Sequence, residues 1–155
     1  MISLVVADVI ELLLYVHSAG ESAKLYYFGT KEDLYAEIAK CVFDVKQLPL
    51  RSDQVTIEFV DSIGQLMADV STADVIYIHG LVSWLQRRGS SAESFTRAIV
   101  PLLSLKRPDE NMLLCDEVDL ESPVPIYTEG EERIQLEKML KKWFHVRSSF
   151  TPDSD

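Results

Sequence analysis

The sequence predicts an α/β domain with a mainly parallel central sheet between two helical layers. Short apolar runs alternate along the chain with amphipathic stretches of helical spacing, and short connections join them. The run at 75–78, Val-Ile-Tyr-Ile, is apolar on both faces, which is typical of a central parallel strand covered by helices. The chain has 155 residues, of which 47% are hydrophobic, and this is enough to form one hydrophobic core. We therefore expect a single three-layer α/β domain over residues 1–150 and a frayed tail over 151–155.

The first apolar run predicts a strand followed by a helix. Ile2–Ala7 has the composition of a buried strand, and Val9–Ser18 has that of a helix closed by Ala19 and the next glycine. One helix from Ile2 to Ser18 is the alternative, because periodicity alone does not separate the two. Two acidic residues break the run and no basic leader precedes it, so it suits neither a signal peptide nor a membrane span. We expect a soluble, intracellular protein.

The second unit is an aromatic strand and a capped helix. Lys24–Phe28 is predicted to be a strand that ends at a glycine, and Thr30 with Asp33 forms a capping-box pattern. The helix should run to about Phe43. Its predicted core face comprises Leu34, Ile38 and Cys41 or Val42, with Lys31, Glu37 and Lys40 in solvent.

The third unit leads into the central strand. Val55–Val60 alternates apolar and polar side chains, which predicts an edge or near-edge strand. Asp61 or Ser62 is expected to cap a short helix, and Val75–His79 is expected to be the central strand. The predicted inner side of the short helix comprises Ile63, Leu66, Met67 and Val70.

A second capping-box pattern, Ser90 with Glu93, predicts the next helix, and Pro101 is expected to interrupt and kink it. Asn111–Cys115 is predicted to be a buried strand, followed by an acidic loop over Asp116–Pro125. The predicted core stripe of the helix comprises Phe95, Ile99, Leu102 and Leu103.

The last units are a predicted helix over Glu131–Phe144 and a predicted edge strand over His145–Phe150. The helix is expected to face inward through Ile134, Leu136, Leu140 and Trp143.

The net charge of −10 opposes autonomous nucleic-acid binding, whose affinity depends largely on neutralising phosphates. Residues 86–155 nevertheless carry 10 of the 15 Lys and Arg. The weak candidates for a nucleic-acid patch are Lys138, Lys141, Lys142 and Arg147. A solvated helix face balanced by neighbouring glutamates is the favoured interpretation.

The sequence contains few residues in patterns that are typical of catalysis, metal binding or phosphate binding. Cys41 and Cys115 have no disulfide or zinc spacing, so we expect two buried thiols. No G-x-x-x-x-G-K-[ST] loop occurs, and Ala7-Asp8-Val9-Ile10 after the first strand offers no glycine or lysine to cradle phosphate. Ser83 and Ser104 lie outside any nucleophile-elbow motif.

His79 is a possible general base or metal ligand, but it lacks a partner at diagnostic spacing. A hydrogen-bonded structural histidine is therefore the favoured interpretation. A solvated acidic loop is favoured over a cation site for Asp116, Glu117, Asp119 and Glu121. We predict no catalytic residue, cofactor or metal.

The ordered set of elements resembles degenerate RecA-like recombinase paralogues, notably the small subunit of the fungal Shu complex and the SWIM-protein-associated subunit of animals. The central strand of that family commonly ends in Asp-Gly-Leu, so His79-Gly80-Leu81 keeps the last two residues and departs at the acid. The resemblance covers most of the chain through the segments ISLVVA, VIELLLYVHSAG, KLYYFG, VTIEFV, SIGQLM, VIYIHGL, FTRAIVPLLSL, NMLLCDE and LEKMLKKWF.

The resemblance implies a non-catalytic nuclear subunit. It would pair with other recombinase paralogues and a SWIM-domain protein and contact DNA weakly or through them. Phe95-Thr96-Arg97-Ala98 matches the F-x-x-A of recombinase filament contacts, although core packing of Phe95 is favoured. The candidate interface anchors are Tyr26, Tyr27, Trp84 and Trp143. Two alternatives remain: a degenerate RecA-like subunit of Elongator, which acts in tRNA modification, and a small α/β enzyme using His79 with Asp116 or Glu117.

Overall fold

The computed structural model describes residues 1–19, 22–40, 55–70, 74–105, 108 and 111–150. Six parallel strands form one sheet in the order β3-β2-β4-β5-β1-β8, and β6 and β7 form a separate antiparallel hairpin. The elements are β1 (Ile2–Val6), α1 (Val9–Ala19), β2 (Ala23–Phe28), α2 (Lys31–Ala39), β3 (Val55–Val60), α3 (Ile63–Asp69), β4 (Ile76–His79), α4 (Leu81–Arg87), α5 (Ala92–Leu103), β5 (Met112–Asp116), β6 (Pro123–Pro125), β7 (Arg133–Gln135), α6 (Leu136–Leu140) and β8 (Phe144–Arg147). The predicted α/β class with a parallel sheet is confirmed.

Helices cover both faces of the sheet. The connections that lead toward the β3 edge contain α1 and α2, and Leu12 and Leu34 of these helices pack on one face. The connections that lead back toward the β8 edge contain α3 to α6, and Leu66, Phe95 and Leu140 pack on the opposite face. Right-handed crossovers require this division, because reversing the direction of travel moves the connecting helix to the other face.

The first apolar run is a strand and a helix. β1 lies between β5 and β8, and Leu4 and Val5 are fully buried on its opposite faces. This two-sided burial explains why the run lacks the alternation of a half-exposed strand. The alternative of one helix from Ile2 to Ser18 is wrong.

Two predicted caps and both predicted edge strands are confirmed. Thr30 and Asp33 form a reciprocal capping box at α2, and the Ser62 hydroxyl accepts from Gln65 N–H at α3. β3 and β8 lie at the two edges of the sheet, and β4 is fully buried near its centre. Glu37 departs from prediction, because it is half-buried beside Tyr27 instead of lying fully in solvent.

Helix α5 begins one residue later than predicted. Its N-cap is Ser91, whose hydroxyl accepts from Ser94 N–H, so the predicted box of Ser90 and Glu93 is wrong. Pro101 lies inside the helix, which continues to Leu103. Because Pro101 is in the last turn, only one intrahelical hydrogen bond near the end is lost, and the predicted interruption does not occur.

The region after β5 differs most from prediction. Asp116 ends β5 instead of opening a loop, and Pro123–Pro125 pairs with Arg133–Gln135. The predicted helix over Glu131–Phe144 is therefore wrong, since only Leu136–Leu140 is helical and Phe144 opens β8. Leu136, Met139 and Leu140 are buried, while Ile134 and Trp143 are half-buried against the same core.

Predictions for Cys41, Val42, Phe43, the glycine after Ala19 and the tail over 151–155 lie outside the described residues. None of the helices in the described part of the chain combines the length and apolar character needed to cross a bilayer.

Candidate functional site

A cavity of about 450 Å³ lies at the carboxyl ends of β2, β4 and β5. The connection after β2 leads outward to β3, whereas the connection after β4 leads the opposite way to β5. Such a reversal between neighbouring strands leaves a crevice between the diverging connections, and ligands of open α/β sheets characteristically bind there. The topology therefore places this cavity where a ligand is expected.

His79, the last residue of β4, lines the cavity. It is 5% exposed, and neither Nδ1 nor Nε2 has a hydrogen-bond partner among the described residues. Its ring is stacked on that of Tyr27, with centroids 5.2 Å apart and planes 4° apart. Burial lowers the pKa of His79, and the nearby carboxylate of Asp116 opposes this shift. His79 is thus a buried histidine packed on Tyr27, but the hydrogen bond predicted for it is absent among the described residues, and both nitrogens are inaccessible to solvent.

Asp116, the last residue of β5, caps α4 from the neighbouring strand. Its carboxylate oxygens accept from Ser83 N–H at 2.8 Å and from the Ser83 hydroxyl at 2.6 Å. Gly80, the N-cap of α4, has no side chain that can do this. Asp116 is 3% exposed, so its assignment to a solvated acidic loop is wrong, whereas Glu117 and Asp119 are exposed as predicted. A buried carboxylate is stabilised here because both its oxygens receive hydrogen bonds at a helix N-terminus.

Gly80 is required by the backbone at this turn. Its φ is +89°, a conformation that L side chains rarely adopt. A Cβ atom at this position would lie 3.3 Å from the carbonyl oxygen of Phe28 on β2. The sharp turn directs the chain from β4 into α4 and leaves His79 and Ser83 on the cavity wall.

The opposite wall comes from β2 and α2. The Tyr27 hydroxyl donates to the Glu37 carboxylate at 3.0 Å. Burial and the negative charge of Glu37 raise the pKa of Tyr27, so the phenol stays protonated. Asp33 also lines the cavity, and the hydrogen bond from Thr30 N–H lowers the pKa of its carboxyl group.

The charge of the cavity lining is unbalanced. Its carboxylates are Asp33, Glu37, Asp116 and Glu117, and its cations are Lys40 and Arg87. Taken with a neutral His79, these groups have a formal charge of about −2 at pH 7. In the part of the chain that the structure describes, no group of three or more His, Cys, Asp or Glu side chains is arranged to hold a metal ion.

The turn between β1 and α1 is closed. The Asp8 carboxylate accepts from Glu11 N–H at 2.9 Å, which is the geometry of a helix N-cap. The Cys115 thiol donates to the Ala7 carbonyl at 3.4 Å, and burial raises the pKa of this thiol. Cys115 is thus a buried thiol as predicted. Asp8 and Glu11 place negative charge at the helix end that would otherwise attract phosphate.

The predicted interface anchors differ in exposure. Tyr26 and Tyr27 are 0% and 2% exposed, so neither presents surface to a partner in this structure. Trp84 is half-buried between Phe28 and the Arg88 guanidinium, which lies 4.0 Å from its ring centroid. Trp143 is half-buried after α6. Both tryptophans retain partial exposure, and their role as anchors stays a prediction.

The predicted basic patch lies on α6, the turn after it and β8. Lys138, Lys141 and Lys142 are exposed, and Lys141 forms an i,i+4 ion pair of 2.7 Å with Glu137. Arg147 donates to the Phe150 carbonyl. Phe95 of the F-x-x-A segment is fully buried in α5, which confirms its core packing.

Sequence reasoning missed the cavity itself, including Arg87 and the pair of Tyr27 with Glu37. The one signal in the sequence that could have located the cavity was the set of residues at adjacent strand ends.

Comparison of the chain with protein families, with characterised proteins and with solved structures gives no match.

Proposed function

We propose that this protein is a non-catalytic subunit of a recombinase-paralogue complex of the Shu type. It assists assembly of a recombinase filament during homologous recombination and DNA repair in the nucleus. Its partners are other recombinase-paralogue subunits and a SWIM-domain protein. The sequence resemblance suggests this role, and the parallel six-stranded sheet between helical layers is compatible with a RecA-like domain.

The observation that carries the proposal is the closed turn between β1 and α1. A nucleotide-hydrolysing domain needs free backbone N–H groups and a basic residue there to hold phosphate oxygens. In this chain the Asp8 carboxylate accepts the Glu11 N–H, and both side chains are acidic. A phosphate group at this turn would meet two acidic side chains, and one of the N–H donors of the helix is already taken. This arrangement supports a subunit that contributes surface and not ATP hydrolysis.

The β8 end of the sheet is the proposed partner surface. Along the chain, Trp143 follows the exposed Lys141 and Lys142 and precedes the edge strand β8. An edge strand offers backbone donors and acceptors, and a half-exposed tryptophan offers an apolar anchor. Most of the basic residues predicted to contact DNA lie at this same end, so partner and DNA contacts would be adjacent.

The direct test is affinity purification of the tagged chain from its native source, followed by identification of bound proteins. Recovery of a recombinase-like protein with a SWIM-domain protein is expected. Recovery of unrelated metabolic enzymes alone contradicts the proposal. Purified protein alone should bind single-stranded DNA weakly, and the recovered complex should bind it more tightly.

Two charge reversals test the surface. Lys142→Glu changes an exposed lysine at the β8 end, whereas Lys31→Glu makes the same change on α2, at the other side of the sheet. We expect Lys142→Glu to weaken DNA binding by the complex and reduce its salt slope by roughly one, with Lys31→Glu close to wild type. Equal effects of the two variants would contradict an interface at this end.

A small α/β enzyme is the second candidate, because the structure brings His79, Asp116 and Glu117 to one cavity. A neutral imidazole beside carboxylates has the composition of a general acid-base site. ATP binding or hydrolysis by the purified protein, lost in His79→Ala, would favour this candidate over the scaffold.

A further inference from the structure

We propose that the β8 edge of the sheet binds an extended segment of a partner protein in which acidic and apolar residues alternate, and that this segment pairs with β8 as an additional strand. The inference rests on the proposed function only in its choice of the β8 end as the partner surface. It adds the chemistry of the partner segment, which the proposed function leaves open.

The backbone of β8 supplies the first argument. Among the described residues β8 pairs with β1 alone, so its outer side has N–H and C=O groups that a further strand can use. After β8 the chain turns onto the face of the sheet that α1 covers, where Phe150 stacks on Tyr15 with ring centroids 4.9 Å apart. The described residues that follow β8 therefore lead away from the edge, and a partner strand can be added there.

The register of β8 determines what a paired strand meets on each face. His145 and Arg147 lie on the face that α1 covers, because Arg147 is in register with Val5 of the cluster under α1. Phe144 and Val146 lie on the opposite face, with the cluster under α3 to α6. Successive side chains of a strand alternate between faces, so a partner strand places one set of residues beside basic side chains and the other beside apolar ones. Acidic residues suit the first position and apolar residues suit the second.

The charge of this end supplies the third argument. Residues 138–150 contain four of the 15 Lys and Arg and no Asp or Glu, although the whole chain has a net charge of −10. Among the described residues, Lys141 forms an ion pair with Glu137, whereas no ion pair involves Lys138, Lys142 or Arg147. Positive charge at the β8 end is therefore left for a partner, and it attracts an acidic segment.

A groove beside β8 accommodates the apolar residues of such a segment. It has a volume of about 540 Å³ and is lined by Met1, Lys141, Phe144, His145 and Val146. Three of these side chains are apolar and two are basic. A nucleic acid would contact the cations through its phosphates and leave the strand edge and the apolar lining uncovered. A polypeptide strand uses all three features, so it fits this surface better.

The β3 edge of the same sheet has a different character. Its exposed side chains are Thr56 and Glu58, and Glu58 forms an ion pair of 3.8 Å with Lys24. An acidic residue placed beside Glu58 meets a like charge, which destabilises strand pairing. An acidic segment therefore favours the β8 edge over the β3 edge.

The test measures the fluorescence anisotropy of labelled peptides as full-length protein is added. The parent peptide has the core Glu-Val-Glu-Val-Glu-Val. One comparison peptide has the same residues in two blocks, and another has Lys in place of each Glu. We expect saturable binding of the parent and binding of the block peptide that is at least about fivefold weaker.

The lysine peptide makes the result diagnostic. Net charge alone would favour the lysine peptide, because the protein is strongly acidic. We expect it to bind more weakly than the parent. Tighter binding of the lysine peptide, or no saturable binding of the parent below about 1 mM protein, overturns the proposal.

Methylation of the peptide backbone tests the strand pairing itself. Two versions of the parent peptide are N-methylated, one at every Glu and the other at every Val. Each keeps the side chains but loses the N–H donors along one of its edges. We expect at least one version to lose binding. Unchanged binding of both versions would show that the contact does not involve strand pairing.

Three variants that add a glutamate locate the site. His145→Glu places a negative charge on β8 beside the bound strand and should raise the Kd of the parent peptide about threefold to fivefold. His17→Glu makes the same change on α1, and Thr56→Glu adds the charge to the β3 edge. Both control positions are exposed, and each control should change the Kd less than about twofold. A control effect as large as that of His145→Glu overturns the assignment to β8.

A labelled oligothymidylate serves as the nucleic-acid arm. If the purified protein binds it with a lower Kd than the parent peptide, the β8 end is a nucleic-acid contact and the proposal is wrong. The affinity purification separates this inference from the proposed function. Recovery of recombinase-like and SWIM-domain proteins without binding of the parent peptide overturns only the acidic strand. Binding of the parent peptide with recovery of unrelated enzymes alone overturns only the Shu-type role.

Discussion

The turns after β1 and after β4 solve the same problem in different ways. Each joins a buried parallel strand to a helix whose first N–H groups need acceptors. At the first turn, Asp8 caps its own helix through Glu11 N–H. At the second, Gly80 cannot cap, and Asp116 reaches across from β5 to Ser83. The first turn is complete within four residues, whereas the second depends on a contact between residues 33 positions apart.

The two turns also differ in their surroundings, since the turn after β4 lines the cavity of about 450 Å³. At the end of β1 the Asp8 carboxylate itself occupies the first turn of α1 by accepting from Glu11 N–H. The turn after β4 is capped by Asp116 of the neighbouring strand, and the His79 nitrogens beside it have no hydrogen-bond partner among the described residues.

The largest expected effect is that of Asp116→Ala, which removes the cap supplied across strands. It leaves the N–H and hydroxyl of Ser83 without their acceptor in a partly buried place, so we expect a loss of about 3 kcal/mol in the free energy of unfolding. Urea denaturation measures the loss. An effect no larger than that of Asp8→Ala would show that the second turn does not depend on β5.

His79→Phe is expected to stabilise the protein by about 1 to 2 kcal/mol. The phenyl ring preserves the stack on Tyr27 and removes two buried nitrogens that have no hydrogen-bond partner among the described residues. The midpoint of urea unfolding should rise without a change in the slope. A fall of more than about 1 kcal/mol would instead indicate that the nitrogens are hydrogen-bonded in solution.

Asp8→Ala is expected to cost about 1 kcal/mol, the usual value for a single N-cap at a helix end. The loss should be equal at low and moderate salt if the hydrogen bond to Glu11 N–H dominates. Asp8→Asn retains an oxygen acceptor and should recover most of the loss in the same urea experiment, since asparagine is also a good N-cap.

The smallest effect is a pH dependence centred on His79. Burial lowers its pKa in the folded state, so the unfolded chain binds the proton more readily. Stability is therefore complete above the unfolded pKa of about 6.5 and falls as the pH falls below it. The charged or titratable groups around His79 are Asp8, Tyr27, Asp33, Glu37, Lys40, Arg87, Cys115, Asp116 and Glu117.

Between pH 7.5 and 6.0 a histidine that stays neutral when folded contributes a loss of about 0.8 kcal/mol. This window lies above the usual range of the carboxyl groups. Wild type and His79→Phe share His17 and His145, so the difference between their stability curves isolates His79. Parallel curves would contradict the pKa shift.

The sequence predicted the sheet well where burial alone decides structure. β1, β2, β4 and β5 are short apolar runs, and the alternation in β3 marked it correctly as an edge strand. Local capping chemistry was also predictable, since Thr30 and Asp33 are three residues apart. The predicted helix over Glu131–Phe144 was wrong because β7, Arg133–Gln135, pairs with Pro123–Pro125. Helical spacing within a segment contains no information about such a partner.

The site was predictable in position but not in detail. His79 and Asp116 were recognised as residues at strand ends, but their burial and partners depend on neighbouring elements. Asp116 was assigned to solvent because its acceptor role involves Ser83, far away in sequence. His79 was expected to find a hydrogen bond because most buried polar groups do. His79 is an exception to this rule, and it lies in the lining of the cavity.

The position of β1 in the sheet has a consequence for biosynthesis. β1 pairs on one side with β5 and on the other with β8, through contacts such as Ser3 with Leu113 and Ile2 with Phe144. During translation β1 therefore stays unpaired until β5, which begins at Met112, has been made. This takes roughly 5 to 20 s at ordinary rates of translation. During that interval β1 can pair with the wrong strand, so we expect the newly made chain to depend on chaperones.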